Sequence, residues 1–268
     1  LYSNVSVPLQ SGHCLSIDEI VQGYQVLFER SAAFSYTNFL GVPFQQDPSD
    51  AFAIMDLIWR LKPDLIVELG TAGGGSAFFY GTILTAYNPN GHVITIDPAR
   101  DYDWNLPNVK RVCPHCVYAR DTPFWKESGV IDFHNKPVAD MVQVVRQRIK
   151  EWGSNVVLVI DDSDHHTSHV MTNLRLFSQF VTVGSYFLVQ DMKMTRLMLD
   201  PRRKVSPSTA ADLFLKSPRG REFKVDRTFE YYFYTQHARG FLKRHASDSY
   251  DETPTSIEEQ NEMKYALK

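Results

Sequence analysis

The chain has 268 residues, 43% hydrophobic and 22% charged, with a formal charge of −3. That balance fits one large globular domain with appendages, excludes a disordered or fibrous chain, and removes the basic footprint of a dedicated nucleic-acid binder. No apolar run approaches the roughly eighteen residues of a bilayer span, and three cysteines are too few for a disulfide framework. The first residue is Leu1 rather than Met, which leaves room for a removed leader or tag. The lone sequon Asn4-Val5-Ser6 is too common a pattern to assign a compartment, and localisation stays open.

From Ser16 to about Leu40 the residues Ile20, Val21, Tyr24, Leu27 and Phe28 recur at helical spacing, which predicts a helical N-terminal extension over 1–45 behind an irregular, polar start. Gly41-Val42-Pro43 breaks the pattern. Pro48 reads as the first residue of a helix capped by Asp47, with Phe52, Ile54, Met55, Ile58 and Trp59 as its stripe and Pro63 as its stop. Leu65-Ile66-Val67 opens a strand that ends in Glu68-Leu69-Gly70. A glycine-rich turn, 71–76, follows, then a helical pattern from Ala77 to about Tyr87 and a turn at 88–91. A second strand over 93–96 ends at Asp97.

Residues 98–128 read as a long excursion, and a weak strand at 130–133 precedes a helix from Val138 to about Trp152. The clearest buried strand is 156–160, ending in Asp161-Asp162-Ser163-Asp164-His165-His166. A helix from about Ser168 to Phe180 leads to the strand 186–189, which ends at Gln190-Asp191. After a basic loop and a helix near Ala210–Lys216, the runs 223–225 and 228–235 close the sheet, and 246–268 form an acidic tail. This order predicts an α/β domain over 46–245, a doubly wound, mostly parallel sheet with an antiparallel edge strand.

The glycine turn narrows the ligand. A dinucleotide fingerprint fails, because Ala72 stands two residues past Gly70 and Phe78 three past Gly75, and no lysine completes a P-loop. Glu68-x-Gly70-x-x-Gly73, with Asp97 ending the next strand to meet ribose hydroxyls, suits an S-adenosylmethionine site better than a phosphate cradle.

Asp161, Asp162 and Asp191 all fall at the carboxyl ends of predicted strands, where side chains of neighbouring strands converge. Two carboxylates and the Gln190 amide on one rim offer oxygen ligands that suit Mg²⁺, Mn²⁺ or Ca²⁺ rather than zinc. The competing reading makes Asp161 and Asp164 caps of the next helix. His165, three residues past Asp162, is placed to act as a general base, whereas His166 and His169 read as surface or helix residues. The absence of any His-x-Asp or His-x-Glu pair argues against a non-haem iron oxygenase.

The run Gln46-Asp47-Pro48-Ser49-Asp50, Ile58-Trp59, Lys62 through Gly70 and Gly74-Gly75-Ser76 resembles the cephalosporin hydroxylase-like family. The likeness continues through Asp162-Ser163-Asp164-His165, Gly184-Ser185-Tyr186, Gln190-Asp191, Tyr234 and Arg239 to Arg244, about 44–244 in all. Members look like class I S-adenosylmethionine O-methyltransferases and include rhamnosyl and macrolide-sugar enzymes. The resemblance implies a Rossmann-like methyltransferase fold, with Glu68, Gly70, Thr71, Ala72, Gly73, Ser76, Asp97 and Asp162 toward the cofactor. It also implies Asp162, Gln190 and Asp191 on a divalent cation such as Mg²⁺ or Mn²⁺, and His165 as the catalytic histidine. Gln190 departs from the pattern, since relatives usually carry a second acid there.

Cys113-Pro114-His115-Cys116 has redox or half-zinc spacing, but no second pair completes a zinc site, so a structural turn or local disulfide is expected. The expected function is metal-assisted O-methylation of a sugar, glycan or small natural product, with no nucleic-acid partner, no membrane span and a homo-oligomer left open. The alternatives are an oxygenase or hydroxylase, and a non-catalytic cofactor-binding partner protein.

Overall fold

The computed structural model describes residues 6–98, 113–195, 206–232 and 234–245. The N-terminal segment is only partly the helix expected of it. Strands β1 (Ser6–Pro8) and β2 (Cys14–Ser16) pair as a small antiparallel hairpin whose residues are almost all exposed, so no apolar alternation announces it. Helix α1 (Ile17–Arg30) starts on a reciprocal cap between Ser16 and Glu19. It stops well before Leu40, because Ala32 turns left-handed at φ 49°. Strands β3 (Asn38–Phe39) and β4 (Val42–Pro43) then lead to α2 (Pro48–Leu61), where Asp47 accepts from the Ser49 N–H at 2.8 Å and proline takes the first helical position, as the sequence indicates.

The α/β core follows in order: β5 (Leu65–Leu69), α3 (Gly75–Thr85), β6 (His92–Ile96), the short α4 (Pro123–Glu127), β7 (Ile131–His134), α5 (Val142–Trp152), β8 (Val157–Asp161), α6 (Thr167–Phe177), β9 (Tyr186–Val189), α7 (Pro207–Lys216), β10 (Phe223–Val225) and β11 (Phe241–Arg244). Among the described residues the main sheet has seven strands, ordered β10-β11-β9-β8-β5-β6-β7. The five from β9 to β7 run parallel, and β11 is reversed between β9 and β10. The antiparallel strand thus lies one in from the edge. Residues 228–235, expected as a strand, are not one among those described; Asp226 instead opens a turn by accepting from the Thr228 N–H at 2.9 Å. The tail 246–268 and positions 99–112 of the excursion lie outside the described residues.

Alternation along β5 divides the core. Leu65, Val67 and Leu69 pack with Val145, Leu174 and Phe214 on one face, while Ile66 packs with Ile54, Ile58, Tyr80 and Leu84 on the other. Each such side chain contributes about 1.5–3 kcal/mol through burial, so the sheet centre is where the described residues are held most firmly by packing. The strand order reverses between β5 and β8, and a crevice opens beyond their carboxyl ends. Cys113 and Cys116 are buried and disulfide-bonded, Cα to Cα 5.3 Å, the local disulfide that their spacing allowed. Among the described residues no helix is long and apolar enough to cross a membrane.

Candidate active site

At the carboxyl end of β5 the chain must turn within reach of β8, and Gly70 permits it. Its φ is +98°, and a Cβ there would lie 2.2 Å from the Asp162 carbonyl oxygen. The turn then runs into α3 through Gly74, at φ +80°, where a Cβ would press on the Trp125 ring at 2.8 Å. Asp97, at the end of β6, fixes this turn from the side: its Oδ2 accepts from the Thr71 and Ala72 N–H groups, both at 3.0 Å.

Below the turn sits Glu68, fully buried. Its Oε2 accepts from the Thr95 hydroxyl at 2.5 Å, and that hydroxyl lies 2.6 Å from Thr71 Oγ1. Burial pushes the Glu68 carboxyl up to about 8, against the pull of the Ser76 and Thr95 hydroxyls, which favours the neutral acid over the carboxylate. Neither Glu68 nor Asp97 lines the cavity in front of the turn. Replacing Asp97 by alanine strands two N–H groups and is expected to weaken S-adenosylhomocysteine binding by about 1–3 kcal/mol, measured by calorimetry.

That cavity, about 340 Å³, is walled on one side by Gly70, Thr71, Ala72, Gly73 and Ser76. The rims of β8 and β9 supply Asp162, His165, Gln190 and Asp191, and the N-terminal segment supplies Glu29, Phe34 and Pro43–Gln46. Asp162, His165 and Asp191 each point one ligand atom to within 4.8 Å of the others, with His165 Nε2 3.3 Å from Asp191 Oδ2. Burial, and then the charge of Asp191, push Asp162 up to about 6. Two acids crowded in this way carry a deficit of positive charge, which a divalent cation fits. Gln190 differs in placement. It lines the cavity, but its buried side-chain amide is held between the Gln46 amide at 3.0 Å and the Tyr80 hydroxyl at 3.2 Å.

Asp161 stands apart from the cluster, turned to the Ser163 hydroxyl at 2.6 Å and to Asn173 on α6. Asp164, His166 and His169 form an exposed group at the start of α6, outside the cavity wall. There Asp164 accepts from the His166 N–H at 2.9 Å, an Asx turn ahead of the helix rather than a cap on it. Several site residues were not singled out as site residues by the sequence. Glu29, Phe34, Gln46, Lys193 and Gln236 reach the cavity from remote segments. Lys193 is buried, ion-paired to Glu29, hydrogen-bonded to Gln236, and 3.9 Å from Asp191.

The profile of the family described as Rhamnosyl O-methyltransferase/CmcI matches residues 32–245. The rhamnosyl O-methyltransferase of Mycobacterium tuberculosis (strain ATCC 25618 / H37Rv) is 23% identical over 228 residues, covering 85% of this chain and 86% of that protein. That of Mycobacterium leprae (strain TN) is 22% identical over 229 residues, covering 85% and 91%. The Mg–SAM structure of CmcI superposes with a TM-score of 0.53 at 23% identity, over 78% of this chain and 77% of that one, a likeness of fold.

Proposed function

Since the chain belongs to the Rhamnosyl O-methyltransferase/CmcI family and is an S-adenosylmethionine-dependent O-methyltransferase, we propose that the cavity between the glycine turn and the β8–β9 rim is where a hydroxyl of a sugar, glycan or small natural product is methylated. The observation that carries this reading is the meeting of Asp162, His165 and Asp191 on the same cavity as Gly70–Gly73. Gly70, Thr71, Ala72, Gly73, Ser76 and Asp162 would hold S-adenosylmethionine, with Glu68 and Asp97 keeping the turn in shape. Asp162 and Asp191 would hold a Mg²⁺- or Mn²⁺-like ion, and Gln190 joins them as the weakest of the three, its amide already engaged by Gln46 and Tyr80. When bound, the cofactor supplies the reactive methyl, and the ion supplies charge that orients the acceptor hydroxyl and lowers its pKa.

The remaining work belongs to the chain's own side chains. His165, part-exposed on the cavity wall, takes the hydroxyl proton on its imidazole. Asp191 Oδ2, 3.3 Å from Nε2, steadies the imidazolium that results. Phe34 and Phe44 narrow the opposite wall, so much of the rate derives from alignment of the acceptor rather than from covalent chemistry.

The test combines binding and turnover. S-adenosylhomocysteine should bind in calorimetry and NAD should not. Labelled methyl should appear on a hydroxyl acceptor drawn from a glycan and metabolite panel, and EDTA should suppress that transfer. Binding of NAD with no response to S-adenosylhomocysteine would overturn the cofactor site, and EDTA-insensitive transfer would remove the ion.

A further inference from the structure

Strand β11 runs antiparallel to β9, with Phe241 opposite Leu188, so the chain just ahead of β11 is delivered to the carboxyl end of β9. Gly240 allows the close approach. Its carbonyl accepts from the Val189 N–H at 2.9 Å, and a Cβ at Gly240 would stand 2.1 Å from the Val189 carbonyl oxygen. His237, three residues earlier, is thereby buried beside Asp191, 1% exposed and off the cavity wall.

Asp191 leaves β9 with φ +52°, a left-handed conformation that few non-glycine residues adopt and that a fixed hydrogen bond supports. The support is His237: the Asp191 N–H donates to Nδ1 at 3.1 Å. With Nδ1 accepting, the proton of a neutral imidazole is on Nε2. Nε2 lies 2.8 Å from the Gln46 side-chain amide, the same amide that reaches Gln190. An amide nitrogen facing Nε2–H would set donor against donor, and a half-turn of each glutamine amide removes the conflict. Gln46 oxygen then accepts from both His237 Nε2–H and the Gln190 NH₂, while Gln190 oxygen accepts from Tyr80. Every contact in the chain from Tyr80 to Asp191 then has one donor and one acceptor.

We infer that His237 is a positioning residue for the ion site: one ring nitrogen holds the strained backbone of Asp191, and the other anchors Gln190 through Gln46. The inference rests on the metal-assisted reading above. It predicts separate effects for the two nitrogens. In His237→Asn the amide oxygen takes the place of Nδ1 and keeps the Asp191 contact, whereas in His237→Gln the side chain reaches the Nε2 position and abandons it.

The experiment measures Mn²⁺ affinity by electron paramagnetic resonance, S-adenosylhomocysteine affinity by calorimetry, and thermal melting, on wild type and three variants. His237→Ala should weaken Mn²⁺ binding roughly 10–100-fold, the range for lost support behind a ligand. His237→Asn should recover most of that loss and His237→Gln little, with S-adenosylhomocysteine affinity unchanged throughout. An alanine variant that binds Mn²⁺ like wild type would overturn the inference alone. So would equal losses in the Asn and Gln variants, or a joint fall of both affinities with the melting temperature, which marks a plain core residue. Wild-type protein that takes up no Mn²⁺ would overturn the metal reading, and this inference with it.

Discussion

Replacing His165 by alanine should lower turnover by roughly 10²–10⁴-fold, the usual loss for a general base, and leave S-adenosylhomocysteine and Mn²⁺ binding close to wild type. The argument is one of position. His165 stands on the loop after β8, part-exposed at the cavity wall, with Asp191 Oδ2 3.3 Å from its Nε2. It is not part of the turn that shapes the cofactor wall, so its removal should spare that wall. The activity that remains should climb with pH, because a hydroxide-rich solution ionises the acceptor without help. A fully active variant would remove the base assignment. A variant that lost Mn²⁺ affinity in step with turnover would make His165 a ligand instead.

Asp162→Asn should move function and stability in opposite directions. Transfer should fall to the background of the metal-free protein, with partial recovery at high Mn²⁺. The metal-free variant, however, should melt higher than metal-free wild type near pH 7. Burial and the nearby Asp191 raise the Asp162 carboxyl to about 6, above its value in an unfolded chain. Between the two values the folded protein holds a proton that the unfolded chain has released, so this group favours folding at low pH and loses that contribution as pH rises from about 4 to about 6. Once ionised it costs the folded state on the order of 2–3 kcal/mol, which the amide avoids. Adding Mn²⁺ should reverse the ranking, since it stabilises wild type by mass action and the variant much less. Melting curves at pH 5 and 7, with and without Mn²⁺, check each sign. A variant that melts below wild type without metal would show that the carboxylate is structural.

The parts of this architecture that could be read from the sequence are those whose signal is local. The Leu65–Leu69 and Val157–Asp161 strands are short apolar runs, each followed by residues that only a sheet's carboxyl rim explains: glycines after the first, acids after the second. The run from 228 to 235 misleads for a physical reason. Its aromatic residues suggest a strand, yet they serve unrelated partners. Phe229 joins the core, Tyr231 reaches Asp56 at 3.2 Å, and Tyr234 packs against Tyr24 at 4.7 Å between ring centroids. The strand that does form, Phe241–Arg244, is half charged, and Arg244 pairs with Glu222 at 2.8 Å. His237 was invisible for another reason. Its importance lies in contacts to Gln46 and Asp191, 191 and 46 positions away, and no window of local sequence contains them.

The N-terminal wall of the cavity meets the cofactor turn backbone to backbone, beside the packed rings of Phe44 and Phe79. A Cβ on Gly75 would lie 2.0 Å from the Pro43 carbonyl oxygen and 2.9 Å from the Phe44 Cα, so the first turn of α3 and the 43–44 segment touch with no side chain between them. A joint of this kind keeps the two walls a fixed distance apart whatever Phe34 and Gln45 become, for neither residue is part of it. On the function proposed above, acceptor preference is expected to follow exchanges at Phe34 and Gln45, like the bit of a tool, while the chuck that would grip the cofactor stays as it is.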